Sequence, residues 1–223
     1  MRAAIFDLDG TLADTSGDLI AAANATLREA GIAGRLETGQ DEAVALRGGR
    51  PMLRLGLERA GRMVDEDFVE SLYPRLLEHY ACAVAHHSRL YEGAETALHT
   101  LAAAGWRLGV CTNKPQHLAD LLLAELGVTS LFHSVIGADA LPVRKPDPRH
   151  LTETIRRAGG RASCAVMIGD TPTDREAARA AGVPCILVAF GPEGPGVAAL
   201  EPEGVLAHYR DLADMLEALL PAA

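Results

Sequence analysis

Residues 2–14 read RAAIFDLDGTLAD and decide the fold, because a short apolar run ends in two closely spaced acids. The run over residues 2–8 predicts a buried strand. Side chains two apart on a strand point the same way, so Asp7 and Asp9 are expected on one face at its carboxyl end. Two buried carboxylates repel each other and resist losing water, so something positive must compensate them.

The composition limits the class of protein and its partners. The chain has 223 residues, a formal net charge of −9 and four cysteines. This length suits one large domain, or a core with a smaller insertion, and the acidic balance disfavours nucleic acid as a partner. The longest apolar stretches are only strand length, which predicts no membrane span and no membrane partner. The cysteines lack metal-ligand spacing and Asp7 precedes any signal-peptide apolar region, so we expect buried reduced thiols and a cytoplasmic protein.

Strand-like and helical segments alternate over most of the chain. The predicted strands are 2–8, 107–111, 134–137, 163–168, 184–189 and 204–207. The predicted helices between them are 93–104, 115–126, 147–159, 173–181 and 210–220. This alternation is typical of right-handed βαβ units. It predicts an α/β fold with a Rossmann-like parallel sheet covered by helices on both faces.

One segment, residues 15–88, interrupts the alternation. It predicts successive helices over 16–31, 39–47, 50–61 and 65–86, separated by glycines, and it contains no strand-like run. We therefore expect an all-helical cap over residues 15–88. The cap would be inserted into a catalytic α/β core made of residues 1–14 and 89–223, with hinges near 13–17 and 87–93.

Polar residues follow four of the predicted strands. They are Asp7 and Asp9 after the first, Thr112 and Asn113 after the second, Lys145 beyond the third, and Asp170 and Asp174 after the fourth. Ligands of an open α/β sheet bind at the carboxyl ends of its strands. Oxygen ligands without His or Cys favour Mg²⁺, which would neutralise these acids. A helix N-cap role could explain Asp170 or Asp174 alone, but it leaves Asp7 and Asp9 unexplained.

Four segments carry a family resemblance. They are DLDGTLADT (7–15), CTNK (111–114), RKPDP (144–148) and GDTPTD (169–174). In this order they resemble the four motifs of the haloacid dehalogenase-like (HAD) hydrolase superfamily, and the resemblance spans the whole chain, including a helical cap after the first motif. Within that superfamily the chain most resembles the bacterial phosphoglycolate phosphatases.

The resemblance implies a phosphatase that uses an aspartyl-phosphate intermediate. Asp7 would attack phosphorus, while Asp9 would protonate the leaving alcohol and then take a proton from the attacking water. Lys145 would offset negative charge, and Thr112 and Asn113 would donate hydrogen bonds to the phosphoryl oxygens.

The same resemblance implies a magnesium site. Mg²⁺ would be held by a side-chain oxygen of Asp7, the backbone carbonyl of Asp9 and a carboxylate oxygen of Asp170. Asp174 would orient metal-bound water or Lys145. Gly10 and Thr11 are expected to serve the turn that leaves the first strand, with glycine admitting a positive φ.

The predicted function is the Mg²⁺-dependent hydrolysis of a small phosphorylated metabolite, with phosphoglycolate as one of several esters that such a core accepts. A hexose-phosphate mutase of the β-phosphoglucomutase type is the alternative enzyme, although that type typically has DGV at residues 9–11. A regulatory or binding protein on the same fold is the alternative outside enzymes. A dehalogenase would have no use for Asp9, and a phosphonate hydrolase would need a lysine in the cap.

Two further sets of basic residues remain open. Arg47 and Arg50 flank paired glycines in LRGGRP (46–51), and either could bind a substrate carboxylate or lie solvated at a helix end. Only Lys114 and Lys145 are lysines among the 21 basic residues. Lys114 either reaches the phosphate or lies on the surface at the start of a helix.

Overall fold

The structure is a computed structural model, and it describes residues 1–220. The chain forms two compact units. The first consists of Met1–Asp14 and the chain from Leu90 onward, and the second is Thr15–Arg89. The second unit begins at the residue where the predicted cap begins and ends one residue later than predicted.

The first unit contains a six-stranded sheet. The strands of the structure are β1 (Ala3–Phe6), β2 (Ala13–Asp14), β3 (Arg89–Leu90), β4 (Arg107–Cys111), β5 (Ser134–Ile136), β6 (Ala165–Gly169), β7 (Cys185–Val188) and β8 (Gly204–Leu206). The six-stranded sheet has the order β5-β4-β1-β6-β7-β8, and all its neighbours pair in parallel. The short strands β2 and β3 pair with each other where the chain leaves and re-enters the first unit.

Strand β1 lies inside the sheet, with Ile5 opposite Gly109 of β4 and Met167 of β6. Every residue of β1 and of β6 is buried. Because successive side chains of a strand point to opposite faces, this burial means that both faces of the sheet are covered. The predicted α/β fold with a parallel sheet is confirmed.

Helices fill the chain between the strands. Residues 1–220 form α1 (Ser16–Glu29), α2 (Glu42–Ala45), α3 (Gly49–Arg59), α4 (Glu66–Ala81), α5 (Ala94–Ala103), α6 (Gln116–Glu125), α7 (Pro148–Arg157), α8 (Pro172–Ala181) and α9 (Leu212–Leu219). Ile5 of β1 belongs to a buried apolar cluster with Leu151 and Ile155 of α7. Phe6 and Trp106 are buried, as expected of core residues.

The second unit is helical, but two predicted helices are too long. The prediction over 39–47 is wrong in extent, because α2 covers only Glu42–Ala45. The Asp41 carboxylate accepts the backbone N–H of Glu37 at 2.6 Å and a guanidinium N–H of Arg59 at 2.8 Å. These bonds stabilise a turn before α2. After α2, the chain reaches Gly48, which has a φ of +105° and directly precedes α3.

The predicted helix over 65–86 ends at Ala81. Beyond it, the buried Asp18 of α1 accepts the backbone N–H of His87 at 2.9 Å and of Ser88 at 2.8 Å. The Ser88 hydroxyl donates to the same carboxylate at 2.7 Å. The chain that follows α4 is therefore tied to the first turn of α1. The predicted hinges at the connections remain predictions.

All four cysteines are free thiols. Cys111 and Cys185 are buried as expected, and burial raises the pKa of the Cys111 thiol to about 12. The expectation of burial is wrong for Cys82, which is exposed where α4 ends.

Within residues 1–220, no helix combines the length and the apolar character that crossing a bilayer requires.

Candidate active site

Neighbouring strands of the sheet bring the predicted site residues to one edge. Asp7, Thr112 and Asp170 directly follow β1, β4 and β6, which are adjacent in the sheet. The backbone N–H of Asp7 donates to Ile168 at 2.8 Å and that of Thr112 to Ile136 at 3.1 Å, so the ladder continues to the edge. The carboxyl ends of parallel strands are where ligands of such sheets bind.

Asp7 is buried at this edge. Its Oδ1 accepts the backbone N–H of Leu8 at 2.7 Å, and its Oδ2 lies 2.9 Å from Nζ of Lys145. Burial raises the pKa of the Asp7 carboxyl to about 6, even though the Lys145 charge opposes the rise. The Asp7 carboxyl group therefore resists ionisation, and it needs nearby positive charge to become a nucleophile.

Lys145 supplies part of that charge. Its buried Nζ also lies 2.6 Å from Oδ1 of Asp174, so one ammonium lies between two carboxylates. Burial by itself lowers the pKa of the ammonium, but the charges of Asp174 and Asp7 outweigh burial and hold the pKa above its usual value. Lys145 is therefore a permanent cation in the site.

Asp170 has one satisfied and one unsatisfied carboxylate oxygen. Its Oδ1 accepts the Thr11 hydroxyl at 2.6 Å. Its Oδ2 is buried and has no hydrogen-bond partner among residues 1–220. Burial and then the charges of Asp174 and Asp7 raise the pKa of Asp170 well above its usual value. A buried polar atom without a partner costs about 1–3 kcal/mol, so this oxygen marks a place for a proton or a cation.

Thr11 does more than serve the turn to which the sequence assigned it. Its backbone oxygen accepts the buried Tyr209 hydroxyl at 2.8 Å, while its own hydroxyl holds Asp170. Gly10 beside it has φ of +79°, which confirms the expected positive φ. A Cβ at Gly10 would lie 2.5 Å from Oδ2 of Asp170, so only glycine leaves room beside that oxygen.

Asp174 stabilises both the site and the start of α8. Its Oδ2 accepts the backbone N–H of Thr171 at 3.0 Å, which is one half of a capping box, and it also accepts the Thr171 hydroxyl at 2.6 Å. Thr171 is the N-cap, so neither Asp170 nor Asp174 occupies that position, but Asp174 does cap the start of α8 from position N3. With one oxygen on Thr171 and the other on Lys145, Asp174 holds the ammonium in place.

Asp9 contacts a different lysine from the one that contacts Asp7. Strand β1 ends at Phe6, so strand alternation does not govern the directions of the two acids. Nζ of Lys114 lies 2.7 and 3.0 Å from the two carboxylate oxygens of Asp9. Lys114 is buried, which excludes the surface reading of this residue.

Thr112 and Asn113 join the loops of the site. The buried Thr112 hydroxyl accepts the backbone N–H of Lys114 at 3.2 Å and keeps its own proton for donation. The exposed Asn113 side chain donates to the backbone oxygen of Lys145 at 3.0 Å, which ties the loop after β4 to the loop that carries Lys145. Their predicted contact with phosphoryl oxygens remains a prediction.

The acids of the site fit a hard divalent cation. Oxygens of Asp7, Asp170 and Asp174 lie within 4.8 Å of one another. Together with Asp9, these residues offer four carboxylates against the two ammonium groups of Lys114 and Lys145, which leaves a formal charge of −2. An oxygen-only donor set, excess negative charge and the unsatisfied Oδ2 of Asp170 are all suited to Mg²⁺.

Arg47 and Arg50 lie in the second unit. Arg47 is exposed between α2 and α3. Arg50 binds the Glu70 carboxylate through two nitrogens, one of them at 2.8 Å, and its guanidinium stacks 3.7 Å from the centre of the Tyr73 ring. The glycine at position 49 permits this packing, because a Cβ there would lie 2.8 Å from Tyr73. The predicted role of these arginines in binding substrate remains untested.

The sequence did not predict three contacts of the site. They are the hydrogen bonds from Thr11 to Asp170 and from Tyr209 to Thr11, and the contact of Lys114 with Asp9. Lys114 carried a signal, since it is one of two lysines in a chain rich in arginine. Tyr209 lies 198 residues from Thr11, and no local pattern could connect the two.

Known proteins are similar to this chain in sequence. The sequence profile of the haloacid dehalogenase-like hydrolases matches residues 4–188. A phosphoglycolate phosphatase of Mesorhizobium japonicum is 39% identical over 220 residues, which is 98% of this chain and 96% of that protein. A phosphoglycolate phosphatase of Agrobacterium fabrum is 39% identical over 215 residues, which is 96% of this chain and 91% of that protein.

A solved structure shares the fold. A Haemophilus somnus protein described as a predicted phosphoglycolate phosphatase superposes with a TM-score of 0.82 at 24% identity, over 96% of this chain and 97% of that one. The chain belongs to the haloacid dehalogenase-like hydrolase family. The family match and the related enzymes confirm the predicted enzyme class, which is a phosphatase.

Proposed function

We propose that the chain is a Mg²⁺-dependent phosphatase that hydrolyses a small phosphomonoester through an aspartyl phosphate on Asp7. The observation that carries the proposal is the contact between Asp7 and Lys145, 2.9 Å apart at the end of β1, beside the unsatisfied Oδ2 of Asp170. A carboxylate nucleophile next to fixed positive charge is what attack on a phosphate dianion requires.

In the first step, a carboxylate oxygen of Asp7 forms a bond to phosphorus and the bond from phosphorus to the alcohol oxygen breaks. Asp9 donates a proton to that leaving oxygen. In the second step, water attacks phosphorus, Asp9 takes a proton from the water, and the bond from phosphorus to Asp7 breaks. Lys145 stays cationic throughout, and Thr112 and Asn113 would donate hydrogen bonds to the phosphoryl oxygens.

Asp7, Asp170 and the backbone carbonyl of Asp9 would hold Mg²⁺. The ion, when bound, neutralises charge on the phosphoryl group and on the nucleophile. Asp174 is better suited to hold Lys145 than to bind the ion directly, because hydrogen bonds from Thr171 and Lys145 use both of its oxygens. The high pKa of Asp7 and of Asp170 supports a site that awaits a cation.

We propose phosphoglycolate as the substrate, on the basis of the two named relatives. Its carboxylate needs a cation, and Arg47 and Arg50 of the second unit are the candidates. Arg50 would have to exchange Glu70 for the substrate. We therefore expect Arg47→Ala or Arg50→Ala to raise KM for 2-phosphoglycolate and to spare 4-nitrophenyl phosphate. Glu70→Gln is the matched control, since it would release Arg50 and lower KM if Arg50 binds the carboxylate.

Localisation and partners beyond the substrate follow from the sequence alone. A cytoplasmic protein that binds neither nucleic acid nor membranes remains our prediction.

The experiment that tests the proposed function measures phosphate release from 2-phosphoglycolate, 4-nitrophenyl phosphate and hexose phosphates, with Mg²⁺ and with chelator. Asp7→Asn is the matched variant, and acid quenching during turnover traps the phosphorylated chain for location by mass spectrometry. We expect Mg²⁺-dependent release that Asp7→Asn abolishes, with the label on Asp7. Transfer of phosphate between hydroxyls of a hexose phosphate, without release, would instead identify a mutase. A label elsewhere, or activity in Asp7→Asn, contradicts the proposal.

A further inference from the structure

The second lysine of the chain is buried against the proposed acid and base. The Lys114 side chain is 4% exposed, and its Nζ contacts both carboxylate oxygens of Asp9, at 2.7 and 3.0 Å. The Asp9 side chain is 17% exposed, so solvent still reaches it while Lys114 contacts both of its oxygens. Both residues belong to the first unit.

The backbone of Lys114 is fixed on both sides. Its N–H donates to the Thr112 hydroxyl at 3.2 Å, and its carbonyl oxygen accepts the N–H of Ala138 at 2.9 Å. These bonds connect Lys114 to the end of β4 and to the segment that follows β5. The ammonium therefore projects from a rigid base, which is what holding a partner in one orientation requires.

The burial of this lysine also indicates a local purpose. Removing an ammonium group from water costs roughly several kcal/mol unless a partner of opposite charge compensates the lost hydration. A lysine that served only solubility would lie in solvent. The compact ammonium fits against one carboxylate, whereas a planar guanidinium would need more room.

We infer that Lys114 is a positioning residue that holds the Asp9 carboxyl group, which carries the proton in the first step, where it meets the leaving-group oxygen. The inference rests on the proposed function, in which Asp9 moves the proton. Lys114 then acts through Asp9 and not on the substrate. Its loss lets the Asp9 carboxylate rotate, which lowers the rate of steps that need the proton and leaves substrate binding unchanged.

The leaving group makes this role measurable. An alkyl alcohol leaves poorly without a proton, whereas 4-nitrophenolate leaves well without one. Loss of Lys114 should therefore slow phosphoryl transfer from 2-phosphoglycolate much more than transfer from 4-nitrophenyl phosphate. A residue that merely supports the fold, or that binds the phosphoryl group, would affect both esters equally.

The test is a double-variant cycle with Lys114→Met, Asp9→Asn and the combined variant, measured in the Mg²⁺-loaded enzyme as first-turnover rates. We expect Lys114→Met to slow transfer from 2-phosphoglycolate about 100-fold, the order that misplacing a reacting group costs. We expect less than about threefold for 4-nitrophenyl phosphate, with KM for both esters within about twofold of wild type, because general-acid assistance matters little to a good leaving group. In the combined variant, the rate should match that of Asp9→Asn alone.

Three controls keep the test decisive. Lys114→Arg retains the charge and should give an intermediate rate, and it replaces Lys114→Met if that variant does not fold. Arg156→Met, in an exposed pair with Glu153, should leave every rate unchanged. Thermal melting of each variant reports folding separately from rate.

Three results would each overturn the inference. The first is an equal loss of rate with both esters in Lys114→Met, and the second is a raised KM in that variant. The third is a combined variant slower than Asp9→Asn by the full factor of Lys114→Met. Failure of the proposed function is distinguishable, since the wild-type enzyme would then release no phosphate, or Asp7→Asn would remain active.

Discussion

The buried ammonium of Lys145 lies 2.9 Å from Oδ2 of Asp7, the residue that directly follows the first strand. The loop that carries Lys145 precedes α7 and is tied to the loop after β4 through Asn113. A salt bridge in water contributes little, but this one compensates a carboxylate that burial would otherwise keep protonated.

Lys145→Met should therefore destabilise the protein by about 3–5 kcal/mol at pH 8, because removing one partner leaves the Asp7 and Asp174 charges buried and uncompensated. The loss should be smaller at pH 5, since the Asp7 carboxyl, with its pKa of about 6, then binds a proton. Urea unfolding of the metal-free protein at both pH values measures the change. Arg156→Met, in a surface pair, is the control and should cost less than about 1 kcal/mol. An equal loss at pH 5 and pH 8 would contradict the explanation.

Asp7→Asn should change how stability depends on pH. The pKa of Asp7 is about 6 in the folded protein against 3.8 in the unfolded chain, so the folded state binds more protons between these values. The contribution of Asp7 is therefore present below pH 4 and is lost as pH rises through 6, by about 3 kcal/mol at most.

Unfolding of wild type and Asp7→Asn in chelator, from pH 4 to pH 7, isolates this contribution as the difference between the two curves. Asp147→Asn is the control, because hydrogen bonds from Arg149 lower the pKa of Asp147 to about 2. The difference in unfolding free energy between wild type and Asp147→Asn should therefore not fall between pH 4 and pH 7. Parallel curves for wild type and Asp7→Asn would show that burial does not raise this pKa.

Thr11→Val should weaken Mg²⁺ binding. The Thr11 hydroxyl donates to Oδ1 of Asp170 at 2.6 Å, and Oδ2 would bind the proposed ion. Valine has nearly the same shape as threonine without the hydroxyl. Loss of a group that orients a metal ligand typically weakens affinity by about 10–100-fold. Isothermal titration with Mg²⁺ in the absence of substrate measures the dissociation constant. Thr152→Val, which removes a surface hydroxyl on α7, is the matched control. An unchanged constant in Thr11→Val would show that the Thr11 hydroxyl does not orient Asp170 for the ion.

Asp18→Asn should loosen the end of the second unit. The carboxylate accepts hydrogen bonds from the N–H groups of His87 and Ser88 and from the Ser88 hydroxyl. The NH₂ group of asparagine could not accept any of these bonds. Hydrogen bonds to a charged group contribute about 1.5–3 kcal/mol. We expect faster hydrogen exchange at His87 and Ser88, measured by NMR. Asp65→Asn, which changes the cap of α4, should leave these two amides protected. Unaltered exchange in Asp18→Asn would show that the chain is held there by other contacts.

Most strands and helices of the first unit could be predicted from the sequence. The apolar run of β6 and the helical pattern of α7 are local signals, and their observed bounds differ from the predicted ones by one or two residues. The second unit was harder, because α2 and the end of α4 depend on Asp41 and Asp18, whose partners are distant in the chain.

The sequence by itself determined the order of the elements and the convergence of Asp7, Thr112 and Asp170. Strand periodicity is local, and parallel strands place their carboxyl ends at one edge. The tertiary structure alone decided which charges pair, with Lys145 on Asp7 and Lys114 on Asp9. Such pairing depends on distances of a few ångströms between loops far apart in the chain, and residue spacing along the chain does not encode those distances.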